Sequence, residues 1–177
     1  STIAMSGGTL DADNSSTLSG ALTQGGSITI DVADGKTLSY SGAAVSLGAN
    51  TLTMSGEGTF SNTNALSLNN ASSKLLLGSS ITVDNVSTSA ENSGLDVDED
   101  STVSSLTVAH TTPVSIASGK TLSGAITVTD GSIKLGETGT LASTVSMSGG
   151  TLDADNSSTV SGTLSQTGAI TIDVAED

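Results

Sequence analysis

The chain has 177 residues, of which 60 are Ser or Thr and 21 are Gly, and its formal net charge is −14. One Tyr, one Phe, no Trp and no Cys exclude a core of large aromatic side chains and any disulfide or thiolate–metal framework. The only basic residues are four lysines and no apolar run approaches the roughly 18 residues of a membrane-spanning helix, so we expect neither nucleic-acid binding nor membrane insertion.

Short runs in which apolar and polar residues alternate recur along the whole chain, at intervals of 18 to 24 residues. Alternation over a few residues, rich in Thr, Val, Ile and Leu, predicts β-strands. In chain order these runs begin at Leu10, Ile28, Leu52, Leu75, Leu95, Val114, Ile133, Leu152 and Ile170. A second pattern, of the form Thr17-Leu18-Ser19-Gly20, lies between many of them, and Gly, Asn, Asp and Ser at the junctions predict corners.

A much longer repeat is superimposed on these runs. Residues 1–35 align without gaps with residues 143–177, and 26 of the 35 positions are identical. The chain therefore holds one unit of 142 residues and the start of a second unit. Repeats of this kind predict a segment cut from a longer tandem array, in which neighbouring units of the same chain are the first partners.

The two periods together predict an all-β fold, a single-stranded right-handed parallel β-helix, or β-solenoid, that runs continuously over residues 1–177. About eight to nine rungs of roughly 20 residues, stacked at about 4.8 Å, would give a rod roughly 40 Å long. A tandem array of immunoglobulin-like sandwiches is the alternative fold. It would leave the similarity between the 20-residue rungs and the lack of core aromatic residues unexplained.

The segment SGKTLSGAITVTDG at 118–131, with its relatives elsewhere in the chain, resembles the repeats of large secreted bacterial β-helix proteins. Filamentous-haemagglutinin-like adhesins and autotransporter passenger domains are the families of this type. The resemblance rests on composition and rung pattern over the whole chain. It implies an extracellular or cell-surface protein that serves adhesion or forms a stalk, and it identifies no functional residue.

Two functions are compatible with such a rod. The first is a structural segment of a giant cell-surface protein that forms a stalk, filament or coat. The alternative is an adhesin module that binds a carbohydrate or cell-surface receptor along one face, for which the long rung from Phe60 to Leu68 is the best candidate. Strand edges at the two ends also predict end-to-end self-association. We expect no enzymatic activity, since Arg is absent and no aromatic platform exists to bind a sugar ring.

The acidic residues are the only candidates for a chemical site. Alignment of the rungs by their fourth residue predicts that Asp13 lies beside Asp31 and that Asp155 lies beside Asp173, with Asp11 and Asp153 in the neighbouring outward position. Like charges this close repel each other, and a bridging Ca²⁺ would relieve the repulsion. A solvated acidic surface is the simpler interpretation, and no other cofactor is expected.

Three further features are interpreted structurally. His110 is expected at an exposed corner, and Tyr40 and Phe60 are expected to fill the lumen or cover an edge. An ice-binding surface would need a regular Thr ladder. The predicted outward ladder of the first strand is mixed instead, and it reads Asp11, Thr29, Thr53, Leu76, Asp96, Ser115, Lys134, Asp153 and Thr171.

Overall fold

A computed structural model describes residues 2–175, so Ser1, Glu176 and Asp177 of the predicted solenoid lie outside the described residues. In that range 22 short strands are joined by turns. The first eleven are β1 (Ile3–Met5), β2 (Thr9–Ala12), β3 (Ser16–Leu18), β4 (Leu22–Gln24), β5 (Ile28–Val32), β6 (Thr37–Tyr40), β7 (Val45–Ser46), β8 (Thr51–Ser55), β9 (Thr59–Asn62), β10 (Leu66–Leu68) and β11 (Lys74–Leu77).

The strands of the second half of the chain are on average longer. They are β12 (Thr82–Thr88), β13 (Gly94–Val97), β14 (Ser101–Val108), β15 (Pro113–Ile116), β16 (Thr121–Val128), β17 (Ser132–Leu135), β18 (Thr140–Met147), β19 (Thr151–Ala154), β20 (Thr159–Val160), β21 (Leu164–Gln166) and β22 (Thr171–Val174). Between residues 2 and 175 there is no helix long and apolar enough to cross a membrane.

Strand pairing confirms the predicted β-solenoid. Every strand pair is parallel, and paired residues are separated by 19 to 24 positions in the chain, as in Leu95–Val114 and Ile28–Leu52. Nine strands form one continuous sheet, in the order β2-β5-β8-β11-β13-β15-β17-β19-β22. Each of these strands belongs to a different turn, so the solenoid has about nine turns, and at about 4.8 Å per turn it is roughly 40 Å long.

Each turn has three sides. The nine-stranded sheet is face one. Strand β12 pairs through its first residues with β9 and through its last residues with β10, so one long strand covers two sides of the solenoid. Face two comprises β3, β6, β9, the first halves of β12, β14, β16 and β18, and β20. Face three comprises β1, β4, β7, β10, the second halves of the same four long strands, and β21.

The interior is a set of stacked aliphatic ladders. On face one, the ladder Leu52–Leu75–Leu95–Val114–Ile133 is fully buried, and a parallel ladder continues from Ile30 through Met54 and Leu77. Because each turn buries only a few side chains, most of the burial depends on the turns above and below it. Ala12 is buried in this core, and Ala154 packs against it.

The junction of the two 142-residue units causes no break in the fold. Strand β18 runs from Thr140 to Met147, across the boundary between residues 142 and 143, and it pairs with β16 over its full length. Face one continues in the same way through β19 and β22. Within the described residues, the start of the second unit therefore extends the same solenoid.

The corner between faces one and two is a repeated tight turn. The N–H groups of Lys36, Lys120, Gly139 and Ser158 each donate to the carbonyl oxygen three residues earlier. The third residue of each turn has a positive φ, and it is Gly35 and Gly119 in two turns but Thr138 and Ser157 in the other two. A positive φ is unfavourable for a β-branched residue, so Thr138 is a strained position.

Thr138→Gly is therefore expected to stabilise the protein. At φ 57°, removal of the side chain relieves left-handed strain of about 1–2 kcal/mol, and the greater freedom of glycine in the unfolded chain offsets part of that gain. The expected net increase in the free energy of unfolding is about 0.5–1 kcal/mol, measured by urea denaturation. Thr140→Gly, in the neighbouring strand β18, is the control and should destabilise the protein; destabilisation by both variants would contradict the strain at Thr138.

Candidate functional site

The six aspartates predicted to form metal sites do not converge. Paired positions on face one are Asp11 with Asp31 and Asp153 with Asp173. The predicted pairing of Asp13 with Asp31 is wrong, because the 20-residue first turn aligns Leu10 with Ile30 and so moves the register by two residues. Asp155 is likewise not opposite Asp173, and its backbone N–H donates to the carbonyl oxygen of Leu135. The outward ladder accordingly begins at Thr9 rather than Asp11 and ends at Asp173 rather than Thr171.

Other side chains already contact these carboxylates. The Ser55 hydroxyl donates to Asp31 Oδ2 at 2.6 Å. Lys134 Nζ lies 3.5 Å from Asp153 Oδ2 and 3.7 Å from Asp155 Oδ1. Among residues 2–175, no three His, Cys, Asp or Glu side chains lie together in a group that could hold a metal ion. Calcium at these aspartates therefore stays a prediction, with two separate carboxylate pairs as its only candidate ligands.

Lysines and acids pair between successive turns. Lys74 contacts Asp96 in the next turn, and Lys120 contacts Glu99 in the preceding turn. The hydrogen bond and the charge of Asp96 raise the pKa of Lys74 above its ordinary value. These pairs are half-exposed, so each contributes little to stability. Their effect is to reduce the negative charge locally on face one and at its corner with face two.

An aspartate on the corner between faces two and three links three turns. Asp84 Oδ2 accepts a hydrogen bond from Ser61 at 2.7 Å, and Asp84 Oδ1 accepts one from Ser104 at 2.8 Å. Ser61 and Ser104 belong to the turns before and after Asp84. Both carboxylate oxygens thus have a partner, and the side chain connects its own turn to the turns before and after it.

The rung predicted as the best candidate for receptor binding places its apolar side chains inside the solenoid. Phe60, Leu66 and Leu68 are fully buried, whereas Thr63 and Asn64 are exposed, so only polar side chains of this rung could contact a receptor. The interior of this rung also holds Asn62, which is 1% exposed. The amide of Asn62 donates to the carbonyl oxygens of Asn64 and Asn85 and accepts from two backbone N–H groups.

Both aromatic rings lie in the lumen. Tyr40 and Phe60 are stacked with their centroids 6.0 Å apart, which confirms the lumen as one of their two predicted locations. His110 is exposed at a corner with a φ of 59°, as predicted. Neither Asn62 nor the buried Thr88 was anticipated, since a polar residue in an alternating strand gives no signal that it points inward.

The strands of face three hold no charged residue, and those of face two hold none other than Asp84 at the corner that the two faces share. Strand pairing aligns one unbroken row of outward hydroxyl side chains along face three, here named the hydroxyl row: Ser46, Ser67, Ser87, Thr107, Thr127, Ser146 and Ser165. The seven face-three segments that contain this row are 44–48, 65–69, 85–89, 105–109, 125–129, 144–148 and 163–167, and none of them contains Asp, Glu, Lys, Arg or His. The sequence did not predict the hydroxyl row, because the runs aligned in it were those of face one and not those of face three.

The geometry defines the class of protein as the parallel β-solenoids. The described residues have a continuous aliphatic interior, acids and lysines on face one and at the corners, and strands of faces two and three that are uncharged apart from Asp84 at their shared corner. The chain matches no family model, no curated protein and no solved structure.

Proposed function

We propose that this chain is a structural repeat segment of a giant secreted or cell-surface protein, in which it forms part of a rigid stalk, filament or coat. The observation that carries the proposal is the continuity of the solenoid through the repeat boundary in strand β18. A fold that passes from one unit to the next without a linker transmits force and sets distance along a single axis. The resemblance to secreted bacterial β-helix proteins supports the extracellular location.

The stiffness of the rod follows from its interior. Stacked aliphatic ladders and parallel backbone hydrogen bonds connect each turn to the next over about nine turns, and no disulfide is needed, since the chain has no cysteine. Bending such a rod would open hydrogen bonds and expose apolar side chains at several turns together. Adhesion is not proposed as a second function, because the apolar side chains Phe60, Leu66 and Leu68 of the rung predicted for it are buried and offer no apolar contact surface.

The proposal predicts the length of longer arrays. Seven turns separate equivalent strands of successive units, so each further 142-residue unit should add about 34 Å at about 4.8 Å per turn. Small-angle X-ray scattering of polypeptides with one, two and three units measures this increment as the growth of the maximum dimension, and it measures the cross-sectional radius separately. A linear increase at constant cross-section is expected. Growth that falls off with the number of units would indicate flexibly joined beads and would contradict the stalk.

A further inference from the structure

The edge of turn one that faces away from turn two carries a sequence that is covered elsewhere in the chain. This edge is formed by β1, β2 and β3 and is here named the first edge, and its residues 5–17 are identical with residues 147–159. In the second unit, the strand Thr151–Ala154 pairs with Ser132–Leu135 of the turn before it. Among residues 2–175, the identical strand β2 pairs with β5 alone. The chain therefore contains one surface in two states, covered and open.

The covered copy of this surface buries its apolar side chains. Leu152 and Met147 are 3% and 0% exposed. Their counterparts Leu10 and Met5 are only half-buried at the first edge. Ile133 is the residue aligned with Leu152 in the turn before it. A partner of the first edge therefore needs an apolar side chain at the place that Ile133 takes, because burial of apolar surface is the main favourable contribution when turns stack.

Two aspartates of the covered copy contact a lysine of the turn before them. Lys134 Nζ lies 3.5 Å from Asp153 Oδ2 and 3.7 Å from Asp155 Oδ1. Their counterparts at the first edge, Asp11 and Asp13, are exposed, and within residues 2–175 neither forms an ion pair. The covered copy therefore identifies a lysine, in a defined register, as the partner that fits these two carboxylates.

We propose that the first edge is the surface that binds the last turn of a preceding unit, and that Asp11 and Asp13 receive the lysine of that turn. The partner has the sequence of residues 121–142, which end one unit and contain Lys134. The proposal rests on the proposed function, because an array of units supplies such a turn. It names the contact through which successive units recognise each other.

The lysine also reduces the charge repulsion on face one. Asp11 lies beside Asp31 in the sheet, and like charges at paired positions are destabilising. In the second unit, Lys134 is aligned with Asp153, the counterpart of Asp11. A lysine in the same register therefore lies next to Asp11, and the preceding unit supplies the positive charge for which the sequence predicted Ca²⁺.

The first test adds the proposed partner to the full chain. A copy of residues 121–142 is placed before the first residue, and amide hydrogen exchange of this lengthened chain is compared with that of the unmodified chain. In the second unit the Thr151 N–H donates to the Gly131 carbonyl oxygen at 2.9 Å. The amide of Thr9, the counterpart of Thr151, should therefore exchange at least about tenfold more slowly in the lengthened chain.

The matched control keeps the length of the added turn and removes its fit. Ile133→Asp, made only in the added copy, places a charge opposite Leu10 in the lumen and should leave the Thr9 amide exchanging as fast as in the unmodified chain. The Thr151 amide, which is covered in every one of these chains, is the internal reference for global stability. Circular dichroism confirms that each chain retains its strands.

The second test isolates the lysine by a double-mutant cycle. Lys134→Ser in the added copy should speed exchange of the Thr9 amide by about two- to fivefold at about 20 mM NaCl, and by less at about 500 mM NaCl, because the contact is exposed and salt screens it. When Asp11→Asn and Asp13→Asn are also present, the lysine change should have no effect.

Two results would overturn the proposal: a Thr9 amide that gains no protection in the lengthened chain, or a lysine effect that is equal with and without the two aspartates. The scattering experiment on longer arrays separates these results from the proposed function. Linear growth without protection of Thr9 would mean that units join through another contact and that the stalk stands. Protection of Thr9 together with growth that falls off would contradict the stalk alone.

Discussion

Gly124→Ala is expected to destabilise the protein by about 2–6 kcal/mol, through backbone strain and steric overlap together. Gly124 lies in β16 at the corner between faces two and three, with a φ of 130° that side-chain-bearing residues rarely adopt. A Cβ atom at this position would lie 1.6 Å from the carbonyl oxygen of Val103, its partner in the preceding turn. Because that oxygen belongs to the backbone of a paired strand, it can move only if the stacking of the turns is disturbed.

Gly119→Ala is the matched control for this prediction. Gly119 also has a positive φ, of 71°, but the nearest atom to an added Cβ is Thr138 Oγ1 at 3.7 Å, so only the left-handed strain of about 1–2 kcal/mol applies. Urea denaturation followed by circular dichroism measures both variants. Equal losses of stability would show that the close approach to Val103 does not constrain this corner.

The same contact explains the Ser-Gly pairs in the sequence. Gly162, in the copy of the motif that includes Gly20, would place a Cβ 1.7 Å from the carbonyl oxygen of Ser143. Glycine at the junctions between the alternating runs predicted corners, and the structure shows why glycine is needed there. At these corners the backbone of one turn lies directly against the backbone of the next, which leaves no room for a side chain.

The period of the sequence predicted the fold because each turn repeats one physical requirement. Every rung must place apolar side chains inward and polar ones outward, so strands recur wherever residues such as Leu95 and Val97 alternate with polar neighbours. Stacking turns of similar length then leaves few folds other than a solenoid. This reasoning needs only the alternation and the spacing, and both are directly visible in the sequence.

The candidate surfaces were harder to predict because they depend on register. Turns of 19 to 24 residues can be aligned in several ways, and a shift of two residues keeps the inward and outward alternation unchanged. Asp11 rather than Asp13 faces Asp31 for this reason. The uncharged face three emerged only when β10 and the second halves of the long strands were aligned as a side of their own.

Tyr40 repairs a gap in the hydrogen bonding of face three. Strands β4 and β7 are neighbours in successive turns but are not paired in a sheet. The Tyr40 hydroxyl, reaching across the lumen, accepts a hydrogen bond from the backbone N–H of Leu22 at 3.1 Å and donates one to the carbonyl oxygen of Ala43 at 2.7 Å. The side chain is 1% exposed, so the phenol hydroxyl takes the place of a backbone ladder bond where water has little access.

Tyr40→Phe is therefore expected to lower the free energy of unfolding by about 1–3 kcal/mol, although the aromatic ring and its stacking on Phe60 are retained. The loss arises because the buried Leu22 N–H loses its partner, and an unsatisfied buried group costs about 1–3 kcal/mol, whereas the carbonyl of the exposed Ala43 can bond to water instead. Thermal and urea denaturation measure the change. Thr53→Val, which removes an outward hydroxyl from face one and keeps the branched shape, is the control and should change stability by less than about 0.5 kcal/mol.

Hydrogen exchange gives the same prediction a local readout. In the Tyr40→Phe variant the Leu22 amide should lose protection, whereas the Leu95 amide, in the ladder of face one at the centre of the rod, should exchange at a rate that changes only with global stability. Unchanged protection at Leu22 would mean that its N–H group has another partner and that the Tyr40 hydroxyl does not replace the missing ladder bond. Loss at Leu22 together with retained strand content would identify the phenol as the link between the second turn and the one before it.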